Sequence, residues 1–547
     1  MQVQSWVSVF TFQSNRNKMA PKTDTQTEAQ LIPENGSVVV IDDQPTEALP
    51  IVKALSKKGI ATTYYQGNVK EDLPETPVQN VRLLFLDLQI IETNDEHQIA
   101  KSIINVLLKV ISEKNGPYLL VIWSKKFNTY SEAVKNEIYK HDHLIPACIV
   151  NFDKASCLES KQIPSIENDA FIDKLNDLLE GQIHDEDIET VISAVTGALK
   201  EEYTTEYEAK PDAIEIIEKQ LKTELEKAGA FHLFVIWENL VKKAAARMVY
   251  EVSTLIDNNE HWEINARNVL KRMGIARVGQ NQVSEDVLIQ EAINTLNISL
   301  VDNVEHEMKG IKIPNHISLQ NDIVYIDMVG TDNFSLKLSS TESEILKNNI
   351  SVKKAVNQVK LRNGFNADTK MNADDKKSSL QVLEKYHLLP PSLNTKLHIE
   401  LSPSQELIPG NIYLNPEEKK KEQYIGSFLK KMSGKVEEYF LIDLEVSPIC
   451  DYAQQKWKRS RTLPGLMYPK KYEDDARGGA HIYPVAPSFN IDELEYKLIF
   501  DYHLFNALDK ANAKKREVKY RLKRELLLDI IAQLSSHVNR PGISFIE

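Results

Sequence analysis

Short apolar runs alternate with amphipathic helical stretches over the first third of the chain, between residues 36 and 158. Runs of this kind, each ending in a polar residue, are typical of buried strands. They cover residues 37–41, 60–65, 81–86, 118–123 and 144–150. The intervening helical periodicity, with Gly59 as an expected helix C-cap, predicts a doubly wound parallel sheet with helices on both faces.

The remaining pattern is less distinctive. Residues 159–310 are charged and mainly helical, and the apolar spacing within 231–256 is typical of a core helix in a bundle. Residues 311–395 are more polar and predict a mixed linker or connecting region. Short β runs punctuated by proline and glycine predict a small β-rich, barrel-like domain over residues 396–490, followed by a helical tail over 491–547. The expected fold class is α/β throughout this arrangement.

Length and charge narrow the range of functions. A chain of 547 residues favours several domains. Its net charge of −13 argues against nucleic-acid binding as the main activity, because phosphate affinity requires clustered lysine and arginine. The single basic run, residues 514–524, has helical spacing. It could contact nucleic acid or an acidic partner surface, but a run of this kind is more often a solvated helix face that pairs with nearby acidic residues.

The cysteine content and the N-terminus indicate a cytoplasmic protein. Cys148, Cys157 and Cys450 show no CxxC spacing, which excludes a disulfide framework and a zinc ribbon and fits a reducing compartment. Residues 1–35 lack the features of a secretory signal and are expected to be a disordered leader. No apolar stretch is long enough to predict a transmembrane helix, so no membrane partner is expected.

Polar residues follow four of the five predicted strands. Asp42 and Asp43 follow the first strand, Asp87 the third, Ser124 the fourth and Lys154 the fifth. The carboxyl ends of parallel strands lie along one edge of the sheet, which is where such sheets bind ligands. Because clustered carboxylates repel one another, the three aspartates predict a cation site, and their oxygen atoms suit Mg²⁺.

The same residues could support phosphoryl transfer. An aspartate such as Asp87 can act as a nucleophile and form an aspartyl phosphate. A bound Mg²⁺ would neutralise the phosphoryl oxygens. Lys154 would contribute a positive charge to the same group, and the Ser124 hydroxyl could donate a hydrogen bond to it.

This set of residues resembles the receiver domain of bacterial response regulators over residues 36–158. The resemblance implies that Asp87 is the phosphoacceptor and that Asp42 and Asp43 are the acidic pair that holds Mg²⁺ with it. It further implies that Ser124 is the switch hydroxyl and Lys154 the essential lysine. A partner histidine kinase would then be the phosphodonor.

The sequence also departs from the receiver pattern. Residues 88–92 contain neither the usual Met-Pro turn nor a glycine after the phosphoacceptor, and Ala155 stands where proline is common. Phe152 lies one place from the expected aromatic position, and the spacings between Asp87, Ser124 and Lys154 imply insertions. An alternative is therefore a degenerate receiver that serves only as a docking module.

A second motif lies in the β-rich region. The run from Ser447 to Asp451 resembles a Ser/Thr-Pro-x-Cys-Asp motif of uncharacterised bacterial proteins. A thiol at Cys450 beside the Asp451 carboxylate could be a nucleophile or a metal ligand, with His481 and His503 as candidate partners. The alternative is a buried cysteine next to an aspartate that caps a turn.

The sequence therefore predicts a response-regulator-like signalling protein that accepts a phosphoryl group from a histidine kinase. Divergent receivers attached to large regions without a DNA-binding module resemble components of bacterial antiphage two-component systems. That resemblance implies a role as a regulator or a phosphate buffer, with an effector protein as a further candidate partner. Two alternatives stay open: a receiver-gated effector enzyme with its chemistry near Cys450 and Asp451, and an inert receiver used as an interaction scaffold. Whether the chain is an enzyme is left undecided.

Overall fold

A computed structural model describes most of the chain. The described residues are 27–28, 37–68, 70–91, 93–125, 127–164, 191, 203–278, 284–315, 323–325, 334–339, 341–415, 421–448, 452 and 458–538. They form two compact units, residues 1–254 with 298–319 and residues 255–297 with 320–547. Of the predicted leader, only Thr27–Glu28 is described, and it pairs in parallel with Ile311–Lys312. Within these residues, no helix combines the length and apolarity that crossing a membrane requires.

The first unit begins with a five-stranded sheet. Its elements are β1 Ser37–Asp42, α1 Pro45–Lys57, β2 Thr62–Gln66, β3 Val81–Leu86, α2 Glu96–Val110, β4 Leu119–Trp123, α3 Phe127–Ile138 and β5 Cys148–Phe152. All strand pairings are parallel, and the spatial order is β2-β1-β3-β4-β5. The prediction of a parallel sheet is confirmed. In this order the winding reverses between β1 and β3, which is the position where doubly wound sheets bind ligands.

Both faces of this sheet are covered by helices. Val38 and Val40 of β1 belong to the core beneath α1, whereas Val39 and Ile41 belong to the core beneath α2 and α3. This alternation follows from the period of two along a strand. Between β2 and β3 the described residues contain only a single 3₁₀ turn, Lys70–Asp72, in place of a covering helix.

Local sequence signals explain the ends of the first two helices. Gly59 has φ +76°, a left-handed conformation that glycine adopts without steric cost. Its N–H donates to Ser56 O, and the Ile60 N–H donates to Leu55 O, which satisfies the last carbonyls of α1. The Asp95 side chain accepts hydrogen bonds from the first backbone N–H groups of α2. The predicted C-cap at Gly59 is confirmed.

The chain then adds a strand pair and two helices to the first unit. These are β6 Leu158–Pro164, β7 Tyr203–Ala209, α4 Ala213–Lys227 and α5 Gly229–Ser253, with β6 and β7 antiparallel. Ala213, Ile217 and Leu221 of α4 are buried in the same core as α1. The sheet domain therefore draws its core from residues well beyond 158, and the region predicted to be helical also contains two strands.

The long helix predicted near residues 231–256 is present as α5, but only part of its apolar pattern is buried. Val235, Leu240 and Met248 are in the core. Phe234 and Val249 are 59% and 67% exposed, respectively. These two residues therefore lie on the solvent face, unlike the prediction from spacing.

The second unit contains a small sheet with its own core. Its elements are α6 Trp262–Val278, α7 Glu285–Lys309, β8 Ile323–Tyr325, β9 Phe334–Leu338, β10 Ser343–Lys347, β11 Ile350–Ala355, α8 Gln358–Ala367 and α9 Ala373–His398. The unit boundary falls within α7. Phe334, Leu336 and Ile345 pack with Leu361 and Phe365 of α8. Residues 311–395, predicted to be a mixed linker or connecting region, thus contain a folded core.

The rest of the second unit is a curled antiparallel sheet. Its elements are β12 Ile399–Glu400, β13 Asn411–Leu414, α10 Lys421–Phe428, β14 Phe440–Glu445, β15 Arg459–Pro469, β16 Ile482–Pro484, β17 Phe489–Ile491, β18 Leu494–Asp501, β19 Asn506–Asp509, α11 Lys510–Ala513, β20 Val518–Leu522 and α12 Arg524–Val538. The main path is β12-β20-β13-β14-β15-β18-β16, with β17 on β18 and β19 on β15. The β-rich prediction is confirmed in this coarse form.

The predicted helical tail over 491–547 is wrong for its first half, which forms β18, β19 and β20. In β20 the buried residues Val518, Tyr520 and Leu522 alternate with Lys519 and Arg521, which is strand periodicity. The basic run also does not form one solvated helix face. Two of its arginines make ion pairs instead, one at 2.9 Å from Asp443 and one at 3.2 Å from Glu400.

Candidate functional site

Three aspartates meet where the winding of the parallel sheet reverses. Asp42 is the last residue of β1, Asp43 follows it, and Asp87 directly follows β3. The Asp87 N–H donates to Ile41 O at 2.9 Å, so the pairing of β1 with β3 continues as far as Asp87. One carboxylate oxygen from each aspartate lies within 4.8 Å of the others. The sequence prediction that these residues lie together is confirmed.

Lys154 is the cation at the centre of this site. It begins a 3₁₀ turn, Lys154–Ser156, just after β5, and its side chain is fully buried. Its Nζ lies 2.6 Å from Asp42 Oδ2, 2.7 Å from Asp87 Oδ2 and 2.7 Å from a third carboxylate, Glu47 Oε2. A buried ammonium requires paired anions to offset its lost hydration, and three carboxylates lie within 2.7 Å of this one.

Glu47 was missed by the sequence analysis. It lies in the first turn of α1, where acidic residues are common because of the helix dipole, so its type and position gave no distinctive signal. Its second oxygen accepts a hydrogen bond from Lys125 Nζ at 2.7 Å, and Lys125 also contacts the Tyr207 hydroxyl at 2.9 Å. Lys125 therefore connects the site to β7 through an ion pair with Glu47 and a hydrogen bond to Tyr207. We call Asp42, Asp43, Glu47, Asp87 and Lys154 the acidic pocket.

Burial dominates the electrostatics of the acidic pocket. It raises the pKa of Asp42 to about 7, and the nearby Asp87 charge acts in the same direction against the attraction of Lys154. Burial also raises the pKa of Asp43. Burial works to raise the pKa of Glu47 as well, but the ammonium groups of Lys154 and Lys125 outweigh it and lower that pKa.

The Lys154 ammonium stays charged in this environment. Burial works to lower the pKa of Lys154, but the three surrounding carboxylates outweigh it and raise that pKa above its ordinary value. Burial thus keeps the pKa values of Asp42 and Asp43 raised despite the nearby Lys154 ammonium. A divalent cation would favour the ionised aspartates.

Backbone and side-chain donors orient the aspartates. The Gln44 N–H donates to Asp42 Oδ1 at 3.0 Å, and the Gln44 side-chain amide donates to Asp43 Oδ2 at 3.0 Å. The Gln89 N–H donates to Asp87 Oδ1 at 3.1 Å. Asp43 is only half-buried, so the pocket has a side that is open to solvent. Three oriented carboxylates with solvent access fit Mg²⁺, which prefers oxygen ligands and retains several waters.

Ser124 lies at the same edge of the sheet. It directly follows β4, is fully buried, and donates its N–H to Phe152 O at 3.3 Å. Phe152 is buried too, with its ring 5.5 Å from that of Trp123. Ser124 is thus held by pairing between β4, the neighbour of β3, and β5, the neighbour of β4.

The second predicted site can be followed only in part. Cys450 and Asp451 lie outside the described residues. Ser447 of the same motif is buried, and its hydroxyl accepts a hydrogen bond from the Arg461 N–H at 2.8 Å. His481 and His503, the proposed partners of the cysteine, stack on each other with ring centroids 4.2 Å apart.

Comparisons of the chain with protein-family models, with curated proteins and with solved structures gave no match. Within the described residues, the acidic pocket brings carboxylates and a fixed positive charge together at one edge of one sheet.

Proposed function

We propose that the parallel-sheet domain is a divergent receiver that accepts a phosphoryl group on Asp87 from a partner histidine kinase. The observation that carries this proposal is the meeting of Asp42, Asp43 and Asp87 with the buried Lys154 at the reversal point of a β2-β1-β3-β4-β5 sheet. This order belongs to the flavodoxin-like group of doubly wound sheets, which bind ligands at that point.

The proposed reaction is a single phosphoryl transfer. A carboxylate oxygen of Asp87 attacks the phosphorus of a phosphohistidine on the donor protein. The P–N bond breaks, the imidazole leaves and takes up a proton, and an acyl phosphate forms on Asp87. Asp42, Asp43 and Asp87 would hold Mg²⁺, which would supply charge neutralisation at the transferred group.

Lys154 has a defined role in this reaction. Its Nζ lies within 2.7 Å of three carboxylates, and it donates a hydrogen bond to Asp87 Oδ2 at 2.7 Å. After transfer, the phosphoryl oxygens of Asp87 would carry the negative charge that the carboxylate carried before. Lys154 would then bind a phosphoryl oxygen, and Ser124, which directly follows the adjacent strand β4, would donate a hydrogen bond to another.

The proposal extends to the setting of the protein. The resemblance of the strand-end residues to response regulators supports a bacterial two-component pathway, and the large region attached to a divergent receiver resembles the antiphage type. In it, the chain would act in the cytoplasm as a regulator or phosphate buffer, with a histidine kinase as donor. Its low cysteine content supports the reducing compartment.

Chemical phosphorylation tests the proposal directly. The full chain is incubated with acetyl phosphate, with and without MgCl₂, and its intact mass is measured. We expect one added phosphoryl group only when MgCl₂ is present, and we expect hydroxylamine to remove it, because acyl phosphates react with hydroxylamine and serine phosphates do not.

Two variants complete the experiment. Asp87→Asn removes the nucleophile and should not be labelled. Asp142→Asn is the matched control, because Asp142 is an exposed aspartate that precedes β5 at the opposite edge of the same sheet. Equal labelling of Asp87→Asn and wild type, or no labelling of wild type, would exclude Asp87 as a phosphoacceptor.

A further inference from the structure

The second unit contains a separate cluster of potential metal ligands. His481, Asp501 and His503 each offer one ligand atom, and these three atoms lie within 4.8 Å of one another. The two imidazole rings are nearly parallel, with an interplanar angle of 7°. Asp501 is buried, while His503 is exposed to solvent. We call these three residues the histidine cluster.

The sheet itself brings these residues together. Asp501 ends β18, and it pairs with Ile482, the first residue of β16 and the neighbour of His481. The Tyr502 N–H donates to His481 O at 2.8 Å. His503 lies in the 3₁₀ turn that follows β18, and its N–H donates to Asp501 Oδ1 at 2.9 Å. Each ligand is thus within one or two residues of a paired strand, which gives the cluster a rigid frame.

Two neighbouring polar groups have no partner of their own. The ring of His537, from α12, lies 5.4 Å from that of His503, and its Nδ1 is buried without a hydrogen bond within the described part of the chain. The Tyr502 hydroxyl is buried and unpartnered in the same sense, and its ring lies 5.4 Å from that of His537. Buried polar groups are normally satisfied, so an unsatisfied nitrogen on the ring next to His503 supports a missing bound group at this cluster.

We propose that the histidine cluster binds a first-row divalent transition metal ion such as Zn²⁺. Two imidazole nitrogens and one carboxylate oxygen form a set that transition metals prefer, whereas Mg²⁺ and Ca²⁺ prefer oxygen ligands alone. Three protein ligands with an open position are typical of catalytic rather than structural zinc sites. The exposed side of His503 leaves that position accessible to water or a substrate.

Binding requires the two stacked rings to turn, because an imidazole nitrogen binds a metal ion in the plane of its ring. Metal–ligand bonds of about 2.0–2.2 Å hold ligand atoms about 3.3–3.6 Å apart, and the three ligand atoms here lie within 4.8 Å of one another. Gly479 lies beside His481, where a Cβ atom would come within 3.2 Å of the imidazole Cε1. The site is in a different unit from the acidic pocket and does not depend on the proposed phosphorylation.

Metal binding by the full chain tests the proposal. The protein is stripped with a chelator, dialysed against Zn²⁺ in excess Mg²⁺, and its metal content is measured. Excess Mg²⁺ occupies oxygen-only sites such as the acidic pocket. A parallel sample with Co²⁺ is followed by visible absorption, which reports the coordination geometry. We expect one bound Zn²⁺ per chain and a Co²⁺ spectrum of low coordination number.

Three variants separate ligation from folding. Asp501→Asn keeps the oxygen that accepts the His503 N–H but loses the charge, and His503→Ala removes an exposed side chain. Because loss of even an outer-shell partner weakens metal binding by about 10–100-fold, each should weaken it at least as much. His387→Ala, an exposed histidine paired with Glu495, is the control and should bind like wild type. Absence of stoichiometric metal, or wild-type affinity in both ligand variants, would overturn the proposal.

Discussion

Burial of Asp42 makes the stability of the five-stranded sheet depend on pH. The pKa of Asp42 is raised to about 7 in the folded state, from an ordinary value of 3.8, mainly because its carboxylate is removed from water. The folded chain therefore binds more protons than the unfolded chain between these two values. The free energy of unfolding is highest on the acidic side of this interval and falls as pH rises through it.

The size of the effect follows from the difference between the two pKa values of Asp42. One pKa unit corresponds to about 1.4 kcal/mol, so the free energy of unfolding falls by roughly 4 kcal/mol over the whole interval. Roughly 2 kcal/mol of this fall occurs above about pH 5.5. The raised pKa of Asp43 acts in the same direction. The lowered pKa of Glu47 contributes stability that is lost only below its ordinary value of 4.5, and so it stays constant here.

Hydrogen exchange of peptides from β1 and β3 measures this effect, after correction for the intrinsic pH dependence of exchange. Between about pH 5.5 and pH 8, wild type should lose roughly 2 kcal/mol of protection, and Asp42→Asn should lose less. At pH 8 the variant should be better protected than wild type, and MgCl₂ should reduce the wild-type loss. Asp142→Asn should follow wild type. If protection in Asp42→Asn falls more steeply with pH than in wild type, or is weaker at pH 8, burial of the Asp42 carboxylate is not the cause of the pH dependence.

Three further substitutions test contacts that stabilise each unit separately. At pH 8, Lys154→Met should cost about 3–5 kcal/mol of protection in β3, because it leaves buried carboxylates unpaired, and Mg²⁺ should restore part of it; unchanged protection would contradict this. Asn115→Ala should cost about 1–3 kcal/mol and lower the unfolding temperature of the first unit, since the Asn115 amide accepts from the first N–H of β3 at 2.8 Å and donates to its carbonyl at 3.0 Å. Gly465→Ala would place a Cβ atom 2.5 Å from the Phe500 ring, so it should cost about 1–3 kcal/mol and increase exchange in β15 and β18 but not in β1.

The acidic pocket could be predicted largely from sequence because its members obey a local rule. A continuous apolar strand that ends in a polar residue places that residue at the carboxyl edge of a parallel sheet. Asp42, Asp87 and Lys154 could therefore be placed together without knowing any side-chain contact. Glu47 could not, because its contact with Lys154 depends on the position of α1 over the sheet, which is set by the packing of Ala48 and its neighbours.

In the C-terminal region, a run of charged residues was predicted to be helical but forms a strand. Lys519 and Arg521 were interpreted as the polar face of a helix, yet they are the outward residues of β20. Five residues are too few for periodicity to distinguish the two structures. The deciding contribution is the antiparallel pairing of β20 with β13, which the local sequence does not encode.

The histidine cluster could not be predicted from the sequence either, because it too depends on strand pairing. His481 is 20 positions before Asp501 in the sequence, and they become neighbours only because β16 returns along β18 in one specific register. A shift of one residue would turn either side chain to the opposite face of the sheet. In a parallel sheet the residues that follow the strands lie at one edge, whatever loops connect the strands. In an antiparallel sheet, which residues become neighbours depends on the register of each strand pair. The acidic pocket was therefore predictable from strand ends alone, and the histidine cluster required the three-dimensional structure.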